Sequence, residues 1–231
     1  MTNITRLVVQ AAVAGGLAAA LIVPAGPALA APDNLDKHRA QVTERIDERL
    51  ESLGRSARQV ADAKHLTHRH KAALTALVSH ERTLLTRLRA RVAAERTNRG
   101  LRAAAADLVE RRDAFSAVRP RIRAVIAADT DTATAASLME VRGRFVGRVA
   151  NATAAGANTR AAEGQLRTLR ISVTRAQRLL AGKADAVIAA APAAVERIAR
   201  VITTAHEHIR QALTAARGVR EFLEAHERRR G

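Results

Sequence analysis

Cysteine, tryptophan and tyrosine do not occur in this chain of 231 residues. Without cysteine no disulfide braces the fold outside a cell, and no thiolate serves as nucleophile or metal ligand. The only aromatic side chains are Phe115, Phe145 and Phe222, so platforms for stacking sugars or unpaired bases are missing. There is no alternating β-branched run and no Asn-Gly or Asp-Gly pair, which removes the usual signals of strands and hairpins. Acids are scarce beside bases: 22 Asp and Glu against 39 Lys and Arg, a formal net charge of +17. The excess is spread over both halves of the chain and is not a disordered basic tail.

What the chain has instead is apolar residues at helical spacing. Thr67–Thr97 is the clearest stretch. Leu74, Val78, Glu81, Leu85, Leu88, Val92 and Glu95 repeat at 4-3 spacing, the heptad that keeps one stripe of a helix against a partner. A second 4-3 row, Ala72, Ala76, Ser79, Thr83, Thr86, Ala90, Ala93 and Thr97, lies on the opposite side and holds only small residues. A helix with two seams is expected to sit centrally, with Ala76, Ser79, Thr83 and Ala90 buried against a second neighbour. In an alanine-rich chain the alternative is a solvated row, because alanine is a good helix former. Glu81, in the middle of the large seam, is expected to meet an Arg or His across the interface and fix register.

Residues 1–30 have the pattern of an export signal. Arg6 is a short positive region, Leu7–Val23 is apolar or small except for Gln10, and Ala28-Leu29-Ala30 is an A-x-A cleavage site. The run is too rich in Ala and Gly for a strong membrane anchor. Cleavage after Ala30 is expected, which makes the protein exported, either extracellular or associated with a cell wall, with no transmembrane segment in the mature chain.

Five further heptad helices accompany the Thr67–Thr97 stretch. The first runs from Asp36 to Lys64 with Val42, Ile46, Leu50, Leu53, Ala57 and Val60 on its seam. Its early acids, Glu44, Asp47, Glu48 and Glu51, suit the Arg-flanked second helix as a neighbour. Thr97-Asn98-Arg99-Gly100 is a turn signal. The third helix carries Leu101, Ala105, Leu108, Phe115, Ile122 and Ile126. Pro120 is expected to kink or split it, and Asp129-Thr130-Asp131-Thr132 to close it and cap the next. The fourth has Leu138, Val141, Phe145 and Val149, with a turn at Gly156-Ala157-Asn158. The fifth runs from Leu166 to Val187. Pro192 opens the sixth, whose seam runs from Val195 to Leu223. The expected fold is all-α: an antiparallel bundle of about six long helices after a signal peptide. Residues 31–130 hold helices one to three and residues 131–231 hold helices four to six. The pattern fits one six-helix bundle or two tandem three-helix units.

Arg45-Ile46-Asp47-Glu48-Arg49-Leu50, Ala63-Lys64-His65-Leu66-Thr67, His70-Lys71-Ala72-Ala73-Leu74 and the stretch from Arg119-Pro120-Arg121-Ile122 to Asp129 carry a resemblance. They are similar to exported Ala- and Arg-rich helical proteins of high-GC Gram-positive bacteria, over roughly residues 40–130. Those proteins have a more aromatic segment before the proline, where this chain keeps only Phe115. The resemblance implies export and helicity and carries over no catalytic residue or cofactor.

The chemistry-bearing residues are few. His65, His68 and His70 cluster near a helix start and make the alternative function a metal-binding extracytoplasmic protein. His206 and His208, two apart on a helix, cannot share an ion. No nucleophile, acid–base pair or phosphate loop stands out, so an enzyme is not expected. Between Glu163 and Asp185 there is no acid, while Arg167, Arg170, Arg175 and Arg178 accumulate. With Val173 on the core seam, Arg167, Ile171, Arg175 and Arg178 fall about 120–200° away on the outward face. Guanidinium forks suit phosphate and carboxylate. The expected function is a non-catalytic envelope or secreted interaction protein whose basic face binds an envelope polymer, lipid headgroups or an acidic protein, with no specific nucleic-acid partner.

Overall fold

The computed structural model describes residues 32–229; the expected signal peptide lies outside them. The described chain is all-α. Seven helices follow one another: α1 (Pro32–Asp62), α2 (His68–Ala94), α3 (Asn98–Glu110), α4 (Arg112–Ala154), α5 (Arg160–Leu180), α6 (Lys183–Ala189) and α7 (Pro192–Arg228). No described residue is in a strand. No described helix is long and apolar enough to cross a membrane.

The helix starts follow local chemistry. Thr67 caps α2, its Oγ1 accepting from the His70 N–H, and Thr97 caps α3 in the same way through Gly100. Pro192 sits in the first turn of α7, where its missing N–H costs nothing. Gly156 (φ 83°) follows α4 and Gly182 (φ 66°) separates α5 from α6, a left-handed conformation that glycine reaches without a Cβ clash. The expected fifth helix is therefore two. Gly182 halts it, and Lys183–Ala189 restarts in a new direction.

The third and fourth expected helices divide differently too. The chain breaks at Arg111, not at Pro120, and α4 then runs 43 residues without interruption. Pro120 and Ser116, the residue whose carbonyl it leaves without an N–H, are both exposed, so water substitutes for the lost bond. Asp129-Thr130-Asp131-Thr132 is not a turn but the middle of α4. Its carboxylates cap nothing locally because they bond to other helices. The boundary expected at residues 130 and 131 falls inside this helix.

The large seam of α2 is buried: Leu74, Val78, Leu85, Leu88 and Val92 face the core. Arg89 on its flank pairs with Asp47 of α1 at 2.8 Å, so the acidic start of α1 does meet the arginines of α2. The small row is a correction. Ala72, Ala76, Ser79, Thr83, Thr86, Ala90 and Ala93 are all exposed. α2 leans mainly on α1, with shorter contacts to α3, α4 and α6, and nothing covers its far side.

The close-packed small row belongs to α7. Ala205, Ala212, Ala215 and Ala216 are buried there, where α7 runs between α4 and α5. Small side chains let those helices approach closely. Ala212, with 0% exposure, is thus expected to tolerate leucine badly. Ala212→Leu should cost about 1–3 kcal/mol in a denaturant titration through overpacking. Ala76→Leu, on the open face of α2, should change stability by less than about 0.5 kcal/mol.

One cluster of buried side chains draws on all seven helices, among them Ile46, Leu74, Leu101, Ile122, Leu169, Val187 and Ile209. A smaller one, Val149, Ala162, Leu166, Val219 and Leu223, joins the end of α4 to α5 and α7.

Candidate functional site

α5 places the expected arginine face. Ala162, Leu166, Leu169, Val173, Ala176 and Leu180 are buried along one stripe. That stripe turns Arg167, Arg170, Arg175 and Arg178 outward, and all four are exposed. Ile171 stands among them at 41% exposure. None of the four arginines is in an ion pair formed among the described residues.

The two acids that bracket this run both have partners. Glu163 accepts from the Thr159 hydroxyl at 2.8 Å. Asp185 lies on α6 and bonds to Arg69 at 2.7 Å and to His70 at 3.2 Å. Asp185 is thus paired with Arg69 and His70, while Glu163 keeps its charge one turn before Arg167, so four guanidiniums face a single carboxylate and the face carries an excess of cations. Four cations along one helix raise the local concentration of anions, an effect that falls with salt.

The histidines do not form the expected trio. His65 and His68 are exposed, while His70 is buried. The His70 ring turns away from them: its Nδ1 lies 2.8 Å from Asp129 and its Nε2 lies 3.2 Å from Asp185. Both nitrogens are thus engaged, and no group of three or more potential ligands among the described residues is arranged to hold a metal ion. The helix start that gathers His65, His68 and His70 in sequence sends His70 inward and leaves the other two at the surface.

What sequence reasoning missed is the node around that ring. Asp129, at the centre of α4, accepts from His70 and also from the Thr67 N–H at 2.9 Å. One carboxylate therefore ties the start of α2 to the middle of α4. Two residues on, Asp131 reaches the opposite side of α4 and meets His206 of α7 at 3.0 Å. Asp129 and Asp131 are both buried. Beside the node lies a cleft of about 380 Å³, lined by Thr67, His70, Asp129, Thr132, Gln177 and Asp185 among others. Its one imidazole offers no free nitrogen to a ligand, so the arrangement acts as a clamp between helices.

Two signals of this node were available. His70 stands four residues before Leu74, on the buried stripe of α2. Asp129 stands three residues after Ile126, where the 4-3 seam of the preceding residues places its next member.

Arg121 is a second buried polar anchor. Its Nε donates to the Val187 carbonyl at 3.0 Å and a terminal nitrogen donates to the Ala190 carbonyl. It thereby caps the C-terminus of α6, the end of a helix that favours a cation. Burial pushes its guanidinium below the usual value, and the Glu81 carboxylate works against that shift. Glu81 forms no ion pair with an Arg or His among the described residues, so the register-fixing pair expected at the centre of the α2 seam is not formed.

Comparison with protein-family models, with curated proteins and with solved structures finds no match for this chain.

Proposed function

We propose that the protein is exported and non-catalytic, and that it binds a phosphate-bearing envelope polymer through the outward face of α5. In this reading residues 1–30 are removed and the helices pack as one antiparallel bundle. The bundle serves to display Arg167, Arg175 and Arg178 around Ile171. One observation carries the reading: Arg167, Arg175 and Arg178 are all exposed and none of them is in an ion pair among the described residues. A merely solubilising surface intersperses both signs; this one does not.

Replacing Arg167, Arg175 and Arg178 together with Gln tests it. Wild-type protein is expected to bind teichoic-type polymer at low salt and to weaken as salt rises. The triple variant is expected to bind about tenfold more weakly at low salt and to lose part of the salt dependence. Equal affinity of the two at low salt would show that binding belongs to the whole basic surface and that α5 is not a site. Anionic vesicles, run beside the polymer, should bind less well, because a single exposed Ile gives little apolar area to insert.

A further inference from the structure

We infer that the trough between α1 and α3 is a binding site for a single-chain anionic amphiphile, a fatty carboxylate or an alkyl phosphate. This site is separate from α5 and does not depend on the function proposed for it.

The trough is a cavity of about 180 Å³ whose lining includes His38, Val42 and Arg45 of α1 and Leu101, Arg102 and Ala105 of α3. Sequence spacing puts them there. His38, Val42 and Arg45 recur at four and three residues, one face of a helix, and Leu101 and Ala105 are four apart on another. Val42, Leu101 and Ala105 form an apolar floor. His38, Arg45 and Arg102 are exposed at the rim. Ala105 occupies a seam position of α3 where a leucine would have closed the interface. With alanine there, the floor stays open.

The charge around the trough is a second, independent observation. Arg49 follows Arg45 by one turn of α1. Its guanidinium is held below the usual value by burial first, then by the nearby charges of Arg112 and Arg45. Arg49 is itself committed, donating to the Leu108 carbonyl at 2.9 Å and lying 5.1 Å over the Phe115 ring. Arg45, Arg102 and Arg112 remain, none of them in an ion pair among the described residues.

The acids of α1 neutralise this group only in part. Asp36 bonds to Arg39, Asp47 to Arg89 and Glu51 to Arg55. Glu48 lies about 20° around α1 from Gln41, which also lines the trough, and offsets one of the cations, which leaves the rim positive. Gathered like charges cost free energy that an anion would offset.

Size and shape set the ligand class. Pockets for drug-sized ligands run to about 300–1,000 Å³, so 180 Å³ is too small for a two-chain lipid and takes a stretch of one alkyl chain. An apolar floor with a cationic rim matches a molecule that is apolar along its body and anionic at its end. Guanidinium forks accept carboxylate and phosphate alike.

The test is isothermal titration of the full chain at low micromolar concentration, below micelle formation. The probes are dodecanoate, dodecyl phosphate, dodecyltrimethylammonium, acetate and inorganic phosphate. Saturable binding of one or both of the anionic amphiphiles is expected, and their ratio tells carboxylate from phosphate. The cationic amphiphile, with a tail but the wrong sign, and the two ions, with a head but no tail, should not bind measurably.

Arg45→Gln with Arg102→Gln should weaken the anionic amphiphile about tenfold. Ala105→Leu should abolish binding by filling the floor while helicity by circular dichroism is retained. Should that variant lose helicity, the exposed Arg45/Arg102 pair carries the test alone. The Arg167/Arg175/Arg178→Gln variant should bind the amphiphile as wild type does, so failure at one site leaves the other standing. Equal binding of cationic and anionic amphiphiles, wild-type affinity in the Arg45/Arg102 variant, or no binding of either anionic amphiphile overturns the inference.

Discussion

Asp129→Ala is expected to destabilise the protein by about 3–5 kcal/mol, the range for removing one partner of a buried pair. The carboxylate is buried at 8% exposure and accepts from the buried His70 ring and from the part-buried Thr67 N–H. Its loss leaves both donors without their acceptor, and an orphaned buried donor costs about 1–3 kcal/mol. Thermal unfolding followed at 222 nm should show a midpoint lower by roughly 10 °C. Asp129→Asn separates the contributions, since its amide oxygen still accepts a hydrogen bond without the charge. It should fall between wild type and alanine. His70→Leu combined with Asp129→Leu should be milder than Asp129→Ala, because replacing both members of a buried polar pair by apolar groups removes the orphan. A loss below about 1 kcal/mol in Asp129→Ala would mean that water reaches the node and that the clamp is not closed.

Arg121→Met is the second large effect, about 2–4 kcal/mol. Methionine keeps the apolar stem but not the fork, so the Ala190 carbonyl loses its side-chain donor and the Val187 carbonyl keeps only the Ala190 N–H at 3.4 Å. α6 is only seven residues long, too short to persist without tertiary support. The damage is expected to concentrate there. Amide exchange over residues 183–189 should accelerate more than over α4 itself. Arg121→Lys should recover only part of the loss, since an ammonium cannot serve both carbonyls in one plane. Uniform exchange across all helices in Arg121→Met would count against a local capping role.

These two residues also show where sequence reading stopped. The heptad seams were legible because burial of a stripe imposes its period directly. Leu74 to Val92 on α2 and Val195 to Leu223 on α7 needed nothing beyond spacing. Asp131 carried no sequence signal of burial, and the seam position of Asp129 was outweighed by its setting, because an Asp-Thr-Asp-Thr run carries the composition of a turn whether its carboxylates cap backbone locally or bond to distant helices. The partners that decide the matter, Thr67, His70 and His206, lie 59 to 75 residues away. Pro120 misled for a related reason: a proline on an exposed helix face gives up a bond that water replaces. Arg111, where the chain does break, has no such mark. The small row was real as a pattern but assigned to the wrong helix. Alanine at a solvated position and alanine at a tight helix crossing look identical until the neighbours are known. On α5 the sequence was sufficient to put Arg167, Ile171, Arg175 and Arg178 outward. It said nothing about Asp185 pairing with Arg69 and His70 and not with this face.

The unbroken run of α4 bears on how the molecule comes apart. Its centre carries Asp129 toward α2 and Asp131 toward α7, and its far end enters the smaller buried cluster with α5 and α7. Fraying is a privilege of helix ends. At its midpoint α4 has no end to fray, and separating one turn there severs the links to both flanking helices together. The α4–α5–α7 tip has its own small cluster and can open by itself. The middle can yield only when the whole does. With no cysteine there is no disulfide to hold the helices together, so this concentration of cooperativity in one helix makes the barrier to global opening the main brake on proteolysis.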